Sequence, residues 1–175
     1  VGIREELSNV QFDVAYQPWA HDPEYLMQIL PLIKQRIEKF SHVAPVAGFL
    51  LSGMLPVSEE SFAHKSLQKD DIRRILQFAS WMLDTEHNWN KDHLFAQCKA
   101  LGDAMGYKVR DFLFPLFVAI AGTSASVSVV DSMQILGPDM SRARIRHALD
   151  TVGGPSKKET KAWEKVYRVV AEALN

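Results

Sequence analysis

The sequence predicts an all-α protein built as two packed helical bundles. Three observations carry that prediction. Nearly every apolar segment repeats at a period near 3.6 residues, and no stretch alternates convincingly with period two. Helix start and stop signals recur along the chain, with capping residues ahead of the periodic runs and glycine or proline behind them. The most apolar stretch, residues 106–122 (GYKVRDFLFPLFVAIAG), has the pattern of a helix buried on most sides.

Taken in order, residues 1–22 have weak periodicity, with Phe12, Val14, Tyr16 and Trp19 as apolar anchors of an irregular lead-in. Asp22, Pro23 and Glu24 form a helix start: an N-cap carboxylate, proline at the first helical position and an acid in the first turn. Tyr25, Leu26, Ile29, Leu30, Ile33, Ile37 and Phe40 then keep helical spacing, with Pro31 expected to kink or split the run. Ser41 is placed to cap a short helix over residues 43–51, ended by Gly53 and Pro56. Ser58, Glu59 and Glu60 open a further helix expected to reach about residue 68. Asp70 and Asp71 put two carboxylates at the start of the next, over residues 72–83, where they complement its macrodipole. Asn90 caps a helix to residue 105 with Leu94, Phe95, Cys98 and Leu101 inside.

In the central apolar helix Val109, Phe112, Leu113, Leu116 and Ile120 share one side, and Phe114, Phe117 and Val118 widen the surface. Pro115 removes a hydrogen bond and should kink it, while Gly106 and Gly122 suit the turns at its ends. Residues 128–136 and 141–149 predict two short helices around Gly137, Pro138 and Asp139. After the break at Gly153, Gly154 and Pro155, Ser156 and Glu159 form a capping box. The last helix carries Trp163, Val166, Tyr167, Val170 and Leu174 on one face. A boundary near residues 83–90 divides the chain into 1–86, 87–152 and an extra C-terminal helix, 153–175.

Composition bounds the function. The chain has 175 residues, 47% of them hydrophobic, enough for a packed core. Its formal net charge is −1, but from residue 141 onward eight Lys/Arg stand against four Asp/Glu. A single cysteine, Cys98, excludes an internal disulfide and suits a reducing, cytoplasmic setting. The polar opening VGIREELSNV is unlike a secretion signal, and its Val in place of an initiator Met suits a piece cut from a longer protein.

No nucleotide-binding glycine loop occurs, and Ser124, Ser126 and Ser128 lack the setting of a nucleophile. His87 and His93, beside Glu86 and Asp92, lack the His-x-x-x-His spacing that puts two imidazoles on one helix face. Neither catalysis, a metal site nor a cofactor is therefore expected in this chain.

The central stretch also carries a resemblance. Gly106, Lys108, Pro115, Leu116, Ala119 and Gly122 fall in the order of a motif from the C-terminal, anticodon-binding region of bacterial-type glutamyl-tRNA synthetases. That motif reads roughly Gly-Leu-Lys, then Gln-Pro-Leu-Arg-x-Ala-Leu-Thr-Gly. Residues 128–137 are similar to its following helix, Asn88, Trp89 and Asn90 to its Glu-Trp-Thr, and Tyr25 to Phe40 to an earlier Tyr-Leu…Arg helix. The likeness runs from about residue 22 to residue 149. The chain departs from it at Phe117, where the family has arginine, and at Ala121, where it has threonine. The family's ATP-binding sequences, His-x-Gly-His and Lys-Met-Ser-Lys-Ser, are absent from the chain.

The resemblance implies a class I synthetase anticodon-binding fold, and a parent enzyme that joins glutamate to tRNA with ATP bound elsewhere. It implies tRNA-Glu as the partner of a cytoplasmic monomer, with neither DNA nor membrane. It places Arg36 on the third anticodon base. It puts Val129 against the first base. Lys108 and Arg110 sit at the entry to the central helix, where a loop phosphate could be met or where they form a solvated helix start, and Thr123 lies in the small polar turn after it. Phe117 cannot donate a hydrogen bond; it either stacks on the first base or belongs to the core. Of Arg142, Arg144 and Arg146, one or two could meet phosphate, although a solvated face suits them better. The rival reading is a helical protein-interaction module that keeps the fold and has lost RNA reading; the neutral charge and Phe117 favour it.

Overall fold

A computed structural model describes residues 17–124 and 126–174. Phe12, Val14 and Tyr16 lie outside the described residues. Seven α-helices follow in order: α1 (Pro23–Ile33), α2 (Val43–Leu51), α3 (Lys69–Thr85), α4 (Lys91–Ala104), α5 (Val109–Ala121), α6 (Val129–Thr151) and α7 (Lys157–Ala171). Short 3-10 turns occupy Pro18–His21, Phe40–His42, Glu59–Phe62 and Glu172–Leu174. No strand occurs among the described residues. The architecture is all-α, as the periodicity requires.

The caps work as the sequence implies. Asp22 Oδ1 accepts from the Glu24 N–H at 3.0 Å, Asn90 Oδ1 accepts from Asp92 at 2.9 Å, and the Ser156 N–H donates to Glu159 Oε2 at 2.8 Å. α5 runs unbroken through Pro115 and stops at Gly122, whose φ of 75° suits glycine. Phe112, Leu116, Val118 and Ile120 have no exposed surface. Each such side chain contributes about 1.5–3 kcal/mol by leaving water. α3, α4 and α6 pack round this rod, and a single core cluster runs from Ala20 to Trp163.

Several expectations need correction. α1 passes through Pro31 but ends at Ile33, so the helix does not reach Phe40; residues 34–36 form a turn instead. Ser41 lies within the 3-10 turn, and His42 occupies the N-cap of α2 with no side-chain bond. The helix expected from Ser58 to residue 68 is only the 3-10 turn Glu59–Phe62. Ala63 turns extended, and α3 starts afresh where the Gln68 N–H donates to Asp71 Oδ2 at 2.8 Å. Phe95 is 41% and Val166 50% exposed, because each stands at the edge of the buried stripe of its helix, about 60° from Cys98 and from Trp163 respectively. The two helices expected around Gly137 are present: the chain leaves helical geometry at that residue (φ 80°, ψ 172°), a conformation essentially confined to glycine, so α6 is two helical segments meeting at a kink.

Arg144 departs furthest from the solvated role suggested for it. Its side chain is 1% exposed and pairs with no carboxylate among the described residues. Nε donates to the Gly53 carbonyl at 3.0 Å, Nη2 to those of Phe49 and Ser52 at 2.6 Å each, and Nη1 to that of Ile120. These are carbonyls at and just beyond the C-terminal ends of α2 and α5, which helices leave without intrahelical donors. Burial pushes the guanidinium down to about 10, so it stays protonated near neutrality. Arg142 likewise donates to the Leu83 and Glu86 carbonyls, at 2.9 and 3.0 Å, closing the end of α3.

Replacing Arg144 by Met should cost about 3–5 kcal/mol, since buried carbonyls lose their donors. Lysine, with three donors and no planar fork, should restore only part of that. Urea unfolding of the two variants measures both. The connection between α3 and α4 gives a second test. Burial pushes the Glu86 carboxyl up, but bonds from the Asn88 N–H (2.7 Å) and His93 (2.8 Å) outweigh it and hold the group below its ordinary 4.5. Its contribution is therefore complete above pH 4.5 and lost as the pH falls through the depressed value. Glu86→Gln should flatten the fall in thermal midpoint on going from pH 6 to pH 3.

Candidate nucleic-acid interface

Arg36 sits in the turn that α1 leaves behind. Its N–H donates to the Ile33 carbonyl at 2.7 Å, and the side chain is exposed. Nη1 reaches 90 residues along the chain to donate to the Ser126 carbonyl at 3.0 Å, in the loop that follows α5. Its Nε and Nη2 meet no acceptor among the described residues, so most of the fork is free. The sequence puts Arg36 beside this loop through two locally determined events. Asp22 and Pro23 set where α1 begins, and Gly122 reverses the chain after α5. Lys34 and Lys39, both exposed, flank the guanidinium, with Glu38 the nearby acid in sequence. Thr123 is exposed in the same loop, and the Ser128 side chain caps α6 by accepting from the Asp131 N–H.

Lys108 and Arg110 stand at the other end of α5. Lys108 is its exposed N-cap, and Arg110 is 86% exposed with Nε 3.7 Å from Asp111 Oδ1. Thirteen residues separate the two ends, about 20 Å along the axis. The structure therefore brings Arg36 and Thr123 together and leaves Lys108 and Arg110 apart from them. This second end is tied to α3, where the Tyr107 hydroxyl donates to Asp71 Oδ1 at 2.6 Å. Burial and then the bond to the Asp71 carboxylate push that phenol well above its usual range.

Phe117 lies on α5, half-buried and packed on the core, with part of its ring still accessible. Val129, at 2% exposure, is a core residue at the start of α6; as placed it supports the loop from beneath and offers a base no surface. Sequence reasoning missed the Ser126 carbonyl, which holds Arg36, and Lys34 and Lys39. The two lysines were legible as neighbours of Arg36; a main-chain acceptor 90 residues away carries no sequence signal.

His93 is committed to Glu86, and no group of three or more His, Cys, Asp or Glu among the described residues could hold a metal ion. A groove of about 340 Å³ lined by Glu59, His64, Gln68 and Lys69 among others contains none of the expected contact residues. No helix among the described residues is long and apolar enough to cross a membrane.

What the geometry defines is an α-helical domain with a free guanidinium held at a loop mouth. Comparison with solved structures agrees on the fold. The chain superposes on a glutamate tRNA ligase from Elizabethkingia meningosepticum, in complex with its amino acid, with a TM-score of 0.69 at 16% identity. That match covers 86% of this chain and 28% of the other. Residues 11–149 match the family described as the anticodon binding domain, and the chain belongs to that family. Curated relatives include the glutamate–tRNA ligases of Marinomonas sp. (strain MWYL1), 54% identical over 165 residues, and Marinobacter nauticus, 53% identical over 165. That of Alcanivorax borkumensis is 51% identical over 166 residues. The matches cover 94–95% of this chain but only 33–34% of the relatives, so the chain spans about a third of their length.

Proposed function

We propose that the chain is the part of a glutamate–tRNA ligase that binds the anticodon arm of tRNA-Glu and checks its third base. The whole ligase would join glutamate to that tRNA with ATP. The divisions 1–86, 87–152 and 153–175 then serve as connecting bundle, anticodon bundle and added helix. The observation that carries the reading is the Arg36 guanidinium, exposed at the loop mouth, bound through one nitrogen to a carbonyl and free through the others.

Single-stranded loops are read by splaying bases out and bonding their Watson–Crick edges. Cytosine presents O2 and N3, both acceptors, to a group that has only donors. Guanine presents N1–H and N2–H₂ donors to the same group. Unpaired donors facing a guanidinium cost about 1–3 kcal/mol, or roughly five- to 150-fold in affinity. This would separate glutamate anticodons, which end in C, from glutamine anticodons, which end in G.

Thr123, at the same mouth, is within the reach of a neighbouring base, and the accessible part of Phe117 could stack on the first. Lys108 and Arg110, at the far end of α5, suit the phosphate backbone. Burial of Val129 and half-burial of Phe117 favour the second reading, a protein-interaction module on the same fold, because they weaken the first-base contacts.

A filter-binding series with tRNA-Glu, bearing either C or G at the third anticodon position, separates the two. Wild type should bind in a salt-sensitive way and prefer C. Arg36→Ala should weaken binding to the C form about tenfold and remove the preference. A wild-type chain that binds no tRNA at any salt concentration would leave the protein-interaction module standing.

A further inference from the structure

Helix α7 lies outside the residues that match the anticodon binding domain family. Its inner face is well accounted for. Trp163 is buried, Tyr167 packs on Trp81 and Phe78, and Glu159 pairs with Arg73 at 3.2 Å. Its outer face has no role in the fold. Lys157, Lys161 and Lys165 follow one another at four-residue spacing, with Lys158 beside them; all are exposed and none forms an ion pair among the described residues.

This arrangement works against the helix. Like charges four residues apart destabilise a helix by a few tenths of a kcal/mol per pair, and Lys157–Lys161 and Lys161–Lys165 are two such pairs. Lys157 and Lys158 also take the first two positions of α7, where the macrodipole disfavours cations, with Glu159 as the acid of that turn. A face selected only for solubility would intersperse acids. Beyond Glu159, Glu164 is the one acid beside the lysines, while Glu172 lies further on, past Arg168. Several other surface cations have acidic partners: Lys69 with Glu59, Lys91 with Asp131, Lys99 with Asp103, Arg146 with Asp84.

The stripe begins beside the first turn of α3, where Arg73 is paired with Asp70 and Glu159. Arg73 Nε donates to the Gly153 carbonyl at 2.6 Å and so seats the start of α7 against the start of α3. Arg74 stands 5.8 Å over the Trp163 ring, and Asp71 on the same turn of α3 receives Tyr107. The first turn of α7 thus lies at the end of the molecule that carries Lys108 and Arg110, the end remote from Arg36. One end suits a base; the other offers only charge.

We infer that the Lys157, Lys158, Lys161 and Lys165 face of α7 is a second RNA-binding surface. It takes the sugar–phosphate backbone of the tRNA stem adjoining the anticodon loop, independently of sequence. The inference rests on the tRNA-binding reading above. The chemistry is electrostatic: successive lysines lie about 6 Å apart along the helix, and each phosphate neutralised releases counterions.

The test is tRNA-Glu binding by the 175-residue chain across a salt series, wild type against Lys157→Ala/Lys161→Ala/Lys165→Ala. Alanine removes the repulsion and favours helix, so the thermal midpoint should hold or rise. Binding near physiological salt should weaken about tenfold, and the slope of log K against log salt should become shallower by about 2–3. The preference for C over G at the third anticodon base should not change. A folded variant with unchanged affinity and slope overturns the inference, as does one that loses the C preference while keeping the slope. A wild-type chain that binds no tRNA overturns the tRNA-binding reading itself and this inference with it, which separates the two failures.

Discussion

One buried guanidinium sets the geometry on which the rest depends. Arg144 has no carboxylate partner and is matched instead by main-chain carbonyls from the ends of two helices. A salt bridge would fix one side chain against another. Four carbonyls fix two backbone segments against a third, and they do so where α2 and α5 leave acceptors unpaired. The arrangement anchors the C-terminal end of α5. Beyond it, the Ser126 carbonyl accepts from Arg36 Nη1.

Separation of two tasks along α5 follows from the same construction. The helix is too apolar to present a functional face of its own, so chemistry is left to its ends. At the C-terminal end the backbone turns sharply at Gly122 and places carbonyls and a free guanidinium in the open, a setting for hydrogen-bond discrimination. At the N-terminal end lie the macrodipole, Lys108, Arg110 and the neighbouring start of α7, a setting for negative charge. Distances of about 20 Å between the ends suit a nucleic acid arm better than a small ligand.

Local features of the sequence were legible because their causes are local. Asp22 with Pro23, Asn90, and Ser156 with Glu159 each act within one turn, and their helices begin where the residues say. The end of α1 was not legible. Ile37 and Phe40 keep helical spacing, but residues 34–36 turn so that the chain can meet the α5 loop, a tertiary demand that overrides periodicity. The short turn after Ser58 failed for a related reason: acids favour a helix start, but nothing apolar follows at the right spacing to hold a second turn. Arg142, Arg144 and Arg146 look equivalent in sequence. Their fates as a carbonyl clamp on α3, a buried hub and a surface pair with Asp84 are decided by which helix ends lie opposite.

Net charge is a poor guide to this molecule for the same reason. A value of −1 argues against nucleic acid only if every cation is equally available. They are not. Arg73, Arg142 and Arg144 are spent inside the fold on carboxylates and carbonyls, and Arg146 is paired with Asp84 at the surface; the planar guanidinium, with its several donors, suits that work. Lysines 108, 157, 158, 161 and 165 stay exposed and unpaired. Arg36 is held by one nitrogen and open at the rest, and Arg110 and Arg168 are also exposed. The exposed cations stand at particular places on the surface, and it is placement, not the sum, that a polyanion meets.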